Sequence, residues 1–123
     1  MAKTRCGGLC DNVAMTVRHH PVIAFVVPYP FEILDLTGPV SVFEHAAVNG
    51  ERYYSIRILS TRSNGAVTTH GGMAIADTCK YSDYEGPIDT LIVSGDPTVS
   101  PQPPELTKWL RERAAHTRRV AST

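Results

Sequence analysis

The pattern of apolar and polar positions predicts strands that alternate with helices from residue 21 onward. Val22–Val27 is apolar without interruption, which is typical of a short strand buried on both faces of a parallel sheet. Prolines end this strand. Gly38-Pro39 then opens a segment in which apolar residues recur at spacings of three and four, which predicts an amphipathic helix. Asn49-Gly50 is expected to end that helix.

The remainder of the chain continues the alternation. Residues 54–59 and 88–93 are rich in strand formers, and residues 118–121 begin a further strand. Turn formers bracket short runs at 66–69 and 73–76, which indicates a hairpin or a pair of edge strands. A helix precedes the last strand, and one stripe of it carries Leu106, Trp109, Leu110, Arg113 and Ala114. The pattern as a whole predicts an α/β fold built on a doubly wound, mostly parallel sheet.

Composition and charge narrow the class of protein. The 123 residues are 42% hydrophobic and 20% charged, as expected for a globular domain, so we assign residues 21–123 to one domain and residues 1–20 to a mobile leader. Twelve basic and twelve acidic residues give a net charge of zero, so the chain has no electrostatic footprint for DNA or an anionic membrane. No apolar stretch approaches the roughly 20 residues that span a bilayer, and no secretory signal is evident. The expected location is cytoplasmic.

Cysteine and histidine spacing does not indicate a metal site or a cofactor. Cys6, Cys10 and Cys79 are an odd number without a framework spacing, so free thiols are expected in a reducing compartment. The pair His19-His20 and the separate His70 are not joined by any ligand spacing. We therefore predict neither a bound metal nor a cofactor.

Polar residues that follow the predicted strands are the first candidates for function, because open parallel sheets bind ligands beyond the carboxyl ends of their strands. These residues are Glu32, Asp35, Ser94 and Asp96. Asp35 lies in an apolar stretch, residues 31–36, and a carboxyl group in such surroundings is suited to proton transfer. The alternative is structural: Asp35 caps the following helix by accepting hydrogen bonds from its free backbone amides.

Four stretches agree in order and spacing with a known superfamily. They are FEILDLTGPVSVFEHA at 31–46, the hairpin region at 60–77, DTLIVSGDP at 89–97 and LRERAAHTRRVAST at 110–123. Together they resemble the N-terminal part of the DJ-1/PfpI, or class I glutamine amidotransferase-like, superfamily, most of all its AraC-type regulators and isocyanide hydratase-like enzymes. The resemblance implies a flavodoxin-like fold and a chain that stops just short of the superfamily's nucleophile elbow.

The same resemblance assigns roles to individual residues. It places Asp35 where the superfamily has an acidic residue that hydrogen-bonds the elbow cysteine, and that cysteine would follow Thr123. Cys79 does not match its position. The superfamily's usual Pro-Gly-Gly, which supplies an oxyanion-hole amide, is replaced by Ser94-Gly95-Asp96, which puts a negative charge where an anion would be held. The residues expected at a ligand site are therefore Asp35, Gly95 and Asp96.

Three functions remain open. The first is a non-catalytic ligand-sensing domain of an AraC-family transcription regulator, which binds a small-molecule effector, forms a dimer or other homo-oligomer, and contacts DNA only through a C-terminal helix-turn-helix outside this chain. The second is a fragment of a cysteine-dependent isocyanide hydratase-like or PfpI-like enzyme, with Asp35 as acid/base partner. The third is a complete small α/β domain, which we expect to be weakly stable or to associate because helices that would cover the sheet are missing. The first is the preferred interpretation.

Overall fold

The computed structural model describes residues 19–95 and 101–123, and the elements in these ranges alternate as the sequence predicts. In chain order they are β1 (Val22–Val27), α1 (Ile33–His45), β2 (Ala47–Val48), β3 (Glu51–Arg52), β4 (Ser55–Ser60), β5 (Val67–Thr68), β6 (Ala74–Ile75), β7 (Thr78–Lys80), a 3₁₀ turn (Tyr81–Asp83), β8 (Thr90–Val93), α2 (Pro104–Ala114) and β9 (Arg119–Ser122). The predicted leader lies, except for its last two residues, outside the described part of the chain.

The central sheet has five strands in the order β7-β4-β1-β8-β9, and every neighbouring pair within it is parallel. The α/β prediction with a mostly parallel, flavodoxin-like sheet is confirmed. The chain moves outward from β1 to β4 and β7, then returns to the other side of β1 to form β8 and β9. The strand order therefore reverses between β1 and β8, and such a switch point leaves a crevice beyond the strand ends.

In the described part of the chain, one helix covers each face of the sheet. Residues of β1 alternate between the two sides, because successive side chains of a strand point to opposite faces. The side covered by α1 buries Ile23, Phe25, Val27, Phe31, Leu36, Val67 and Ile92. The side covered by α2 buries Ala24, Val26, Leu59, Tyr81, Tyr84, Ile88, Leu91 and Leu106. This double burial explains why β1 is an uninterrupted apolar run.

Helix α1 differs from its predicted bounds at both ends. It begins at Ile33, so Pro39 lies inside the helix rather than at its start. Proline has no backbone N–H, so the backbone carbonyl of Asp35 does not accept the hydrogen bond that residue 39 would otherwise donate. The apolar stripe that packs on the sheet extends back to Leu36, whose burial supports the earlier start. The helix ends at His45.

The Asn49-Gly50 pair forms a hairpin turn rather than a helix end. Asn49 and Gly50 have φ of 54° and 79°, and they join the antiparallel strands β2 and β3. Two consecutive left-handed residues, the first asparagine and the second glycine, are typical of a tight two-residue hairpin. The predicted helix end at this pair is wrong, because the local turn signal belongs to a hairpin that begins after the helix has ended.

The predicted hairpin between residues 66 and 76 is confirmed, since β5 and β6 pair antiparallel. Strand β7 was not predicted. Its three residues, Thr78–Lys80, carry no apolar run, and they form a strand because they pair with β4 at the sheet edge. Neither described helix has the length and apolar character needed to cross a bilayer.

Candidate functional site

Asp35 and Gly95, which are 60 positions apart in the sequence, meet at the carboxyl edge of the sheet. Asp35 is the third residue of α1, and its N–H donates to the carbonyl of Glu32 at 3.1 Å. Gly95 follows β8. A Cβ built on Gly95 would lie 3.6 Å from Oδ2 of Asp35 and 2.9 Å from the carbonyl oxygen of Thr123. Three segments, which follow β1, β8 and β9, therefore converge here.

The convergence requires glycine at position 95. Thr123 is held against β8 by its N–H, which donates to the carbonyl of Val93 at 3.1 Å. A side chain on Gly95 would approach the Thr123 carbonyl oxygen more closely than Cβ atoms ordinarily do. Glycine thus permits the close approach of the segment after β8 to the end of β9. Asp96, the third residue assigned to the site from the sequence, lies outside the described residues.

The structure also decides how Asp35 relates to its helix. The residue at the N-terminal cap is Glu32, which makes no capping side-chain hydrogen bond. Asp35 lies inside the first turn, where a negative charge is favoured by the helix dipole. The alternative that Asp35 caps the helix is therefore wrong, because the helix begins two residues before it. The residue is half-buried, and its Oδ2 lies beside the segment after β8.

A cavity of about 320 Å³ opens beside Gly95 on the side of the sheet covered by α2. Its lining comes from the ends of β1, β4, β8 and β9 and from α2, and consists of Val26, Pro28, Thr61, Val93, Ser94, Gly95, Gln102, Leu106, Leu110 and Ser122. Gly95 lines this cavity, whereas Asp35 does not. Its volume is at the lower end of the range for small-molecule pockets, and its position at the switch point is where open α/β sheets bind ligands.

Ser94 contributes a buried hydroxyl group to the same edge. The residue is 2% exposed, and its Oγ has no hydrogen-bond partner within the described ranges. Its N–H continues the sheet ladder by donating to the carbonyl of Val26 at 3.0 Å. Since Ser94 is two positions after Ile92, its side chain faces the same side as Ile92, which is the side of α1. Only the backbone of Ser94 is thus expected to face the cavity.

Sequence reasoning missed a second group at this edge, formed by Tyr29, Arg62 and His70. The Arg62 guanidinium lies 4.5 Å from the centre of the Tyr29 ring and donates to Oγ1 of Thr68 at 3.0 Å. The His70 ring is 6.1 Å from that of Tyr29. Arg62 and Tyr29 each lie two residues after a core strand, and this position is the sequence feature that could have identified them as candidates. In the described ranges no three potential ligands group into a metal site.

Cys79 cannot serve as a nucleophile beside Asp35. It lies in β7, in register with Leu59 of β4, and two strands separate β7 from β8. Cys79 is also disulfide-bonded. The expectation of free thiols is therefore wrong for this cysteine.

Among the described residues, those whose pKa is shifted do not line the cavity. Arg118 donates two hydrogen bonds of 2.8 Å to the Asp89 carboxylate, one to each oxygen, and thereby ties the start of β9 to the start of β8. These hydrogen bonds hold the pKa of Asp89 below its usual value. On the α2 face, burial raises the pKa of Tyr81 and Tyr84. The pair of Asp89 and Arg118 lies at the opposite end of the strands and stabilises the sheet rather than the site.

Comparison with known proteins supports the fold. No family model matches the chain, and a search of curated proteins finds no match. The chain is similar to the crystal structure of a candidate transcriptional regulator from Vibrio parahaemolyticus, with a TM-score of 0.63 and 20% sequence identity. The match covers 83% of this chain and 56% of the other, so this chain spans little more than half the length of that protein. At this level of identity the match establishes a shared fold.

Proposed function

We propose that this chain is the ligand-sensing, non-catalytic part of a transcription regulator of the AraC family, with a DJ-1/PfpI-like sensing domain. The observation that carries the proposal is the cavity at the switch point, bordered by Gly95 and close to the carboxylate of Asp35. The resemblance of residues 31–46 and 89–97 to that superfamily supports it. The similar fold of a candidate transcriptional regulator is consistent with it.

In this proposal the effector acts on the packing between α2 and the sheet. The cavity wall includes Leu106 and Leu110 of α2 together with the ends of β1 and β8. A ligand that fits between them stabilises one arrangement of α2 against the strands. A ligand shifts a conformational equilibrium only if it binds one of the two conformations more tightly than the other. The DNA-binding helix-turn-helix is expected C-terminal to Thr123, in a cytoplasmic protein.

The test is to fill the cavity in the full-length regulator. Leu110→Trp places a larger side chain in the cavity, and Leu34→Trp makes the same change on an exposed position of α1. We expect Leu110→Trp to abolish the effect of the effector on promoter binding, measured by fluorescence anisotropy, and Leu34→Trp to leave it intact. An unchanged effector response in Leu110→Trp would refute the proposed site.

Self-association is part of the proposal, as the resemblance to AraC-type regulators implies. Light scattering on the full-length regulator measures it. We expect a molar mass above that of a single chain, and a monomeric protein would contradict this part of the proposal.

The alternative function is a cysteine-dependent hydratase or hydrolase, and one observation favours it. The Asp35 carboxylate lies beside the segment that follows β8, where the superfamily holds an oxyanion. An assay of isocyanide hydration by the full-length protein and by its Asp35→Ala variant separates the two functions. Isocyanide hydration that is lost in Asp35→Ala would favour the enzyme over the sensor.

A further inference from the structure

The chemistry of the cavity wall constrains the ligand. Half of the ten described lining residues are apolar, and they come from β1, the residue after it, β8 and α2: Val26, Pro28, Val93, Leu106 and Leu110. The polar side chains at its edge are uncharged, since they belong to Thr61, Gln102 and Ser122. Among the described residues that line the cavity, none carries a charge.

Two charged side chains in segments next to the cavity, Arg62 and Asp35, are not part of its lining. The Arg62 guanidinium, one residue after Thr61, is stacked over Tyr29 and hydrogen-bonded to Thr68. Asp35 is not part of the wall, and its carboxylate reaches Gly95 from α1. An ionic group placed among the apolar side chains would lose its hydration without gaining a counter-charge from the described residues that line the cavity.

We propose that the switch-point cavity binds a small, neutral and mainly apolar molecule, an inference that rests on the proposed sensing function. A volume of about 320 Å³ holds on the order of ten non-hydrogen atoms, at about 30 Å³ for each water-sized group. The apolar body of the ligand lies against Val93, Leu106 and Leu110. A hydroxyl, carbonyl or ether group at one end is directed to the uncharged polar side chains at the edge.

Three probes of matched size test the class of ligand: neutral 2-phenylethanol, anionic phenylacetate and cationic 2-phenylethylammonium. Binding is followed by amide chemical-shift titration at neutral pH. We expect 2-phenylethanol to move the amide signals of residues at the strand ends and in α2, with a dissociation constant at least tenfold lower than either ion. Equal or tighter binding of an ion at these residues would overturn the inference.

A charge introduced into the wall provides a second measurement. Leu110→Lys places an ammonium group at the half-buried Leu110, and Leu34→Lys makes the same change on the exposed face of α1. We expect Leu110→Lys to weaken binding of 2-phenylethanol at least tenfold and to make phenylacetate the preferred probe. Leu34→Lys should retain the wild-type order of the three probes.

The outcomes separate this inference from the proposed function. If an ion binds best while Leu110→Trp still abolishes the effector response, the ligand class is wrong and the sensing function stands. If none of the probes moves the signals around the cavity and Leu110→Trp leaves the effector response unchanged, both are wrong. Preference for 2-phenylethanol with loss of response in Leu110→Trp supports both.

Discussion

Replacing Gly65 with alanine should destabilise the fold through backbone strain in the turn between β4 and β5. Gly65 has a φ of +73°, and a Cβ there would lie 3.1 Å from the backbone nitrogen of Lys80 in β7. Its own N–H donates to the carbonyl of Arg62 at 3.1 Å, and its carbonyl accepts a hydrogen bond of 2.7 Å from Oγ1 of Thr78. The residue is thus fixed on both sides and cannot readily change its conformation.

The expected magnitude follows from two contributions. A left-handed conformation costs an L-residue about 1–2 kcal/mol. Close contact with the backbone of Lys80 adds a penalty at the lower end of the roughly 1–3 kcal/mol that overpacking costs. We therefore expect Gly65→Ala to lower the free energy of unfolding by about 2–3 kcal/mol.

Urea denaturation followed by circular dichroism measures this difference, with Gly38→Ala as the matched control. Gly38 lies within α1, and a Cβ there meets nothing within 4 Å. Because alanine is the better helix former, the control should raise the free energy of unfolding by about 0.5–1 kcal/mol. If Gly65→Ala stays within about 0.5 kcal/mol of wild type while the control behaves as expected, the strain argument is refuted.

Two further changes test the edge of the sheet and its ion pair. Gly95→Ala brings a Cβ against the carbonyl oxygen of Thr123, so we expect a loss of about 1–3 kcal/mol, seen as a lower midpoint in thermal unfolding; an unchanged midpoint would contradict the close approach. Asp89→Asn removes the carboxylate that Arg118 binds. Because the hydrogen bonds from Arg118 lower the pKa of Asp89 in the folded state, the ion pair stabilises the fold above about pH 4, and this stabilisation is lost as the pH falls further. The difference in stability between wild type and Asp89→Asn should accordingly shrink below about pH 4 and in high salt, and a pH-independent difference would rule out the ion pair as its source.

The elements with strong local patterns could be read from the sequence. The uninterrupted apolar run of β1 predicts a strand that is buried on both faces. The apolar stripe that follows the prolines of α2 predicts a helix that is buried on one face. The core of β8 was predicted for the same reason. In these elements burial and periodicity agree, so neighbouring segments were not needed to assign them.

Other elements depend on partners that the local pattern does not reveal. Strand β7 exists because Thr78–Lys80 pairs with β4, and its own residues have no strand signature. Pro39 suggested a helix start, yet the helix begins at Ile33 because packing of Leu36 against the sheet outweighs the local signal. The Asn49-Gly50 turn was recognised as a break but assigned to the wrong element.

The sequence by itself determined the alternation of strands and helices. It identified Asp35 as a polar residue after a buried strand, and it identified Gly95 through the resemblance of residues 94–96 to the superfamily's Pro-Gly-Gly. Only the tertiary structure decided that these two residues meet, that Gly95 lines the cavity while Asp35 does not, and that Cys79 lies on a distant strand. The physical reason is the order of strands in the sheet. That order is set by how helices and loops cross the sheet and pack on its faces, so it brings together residues that local periodicity leaves 60 positions apart.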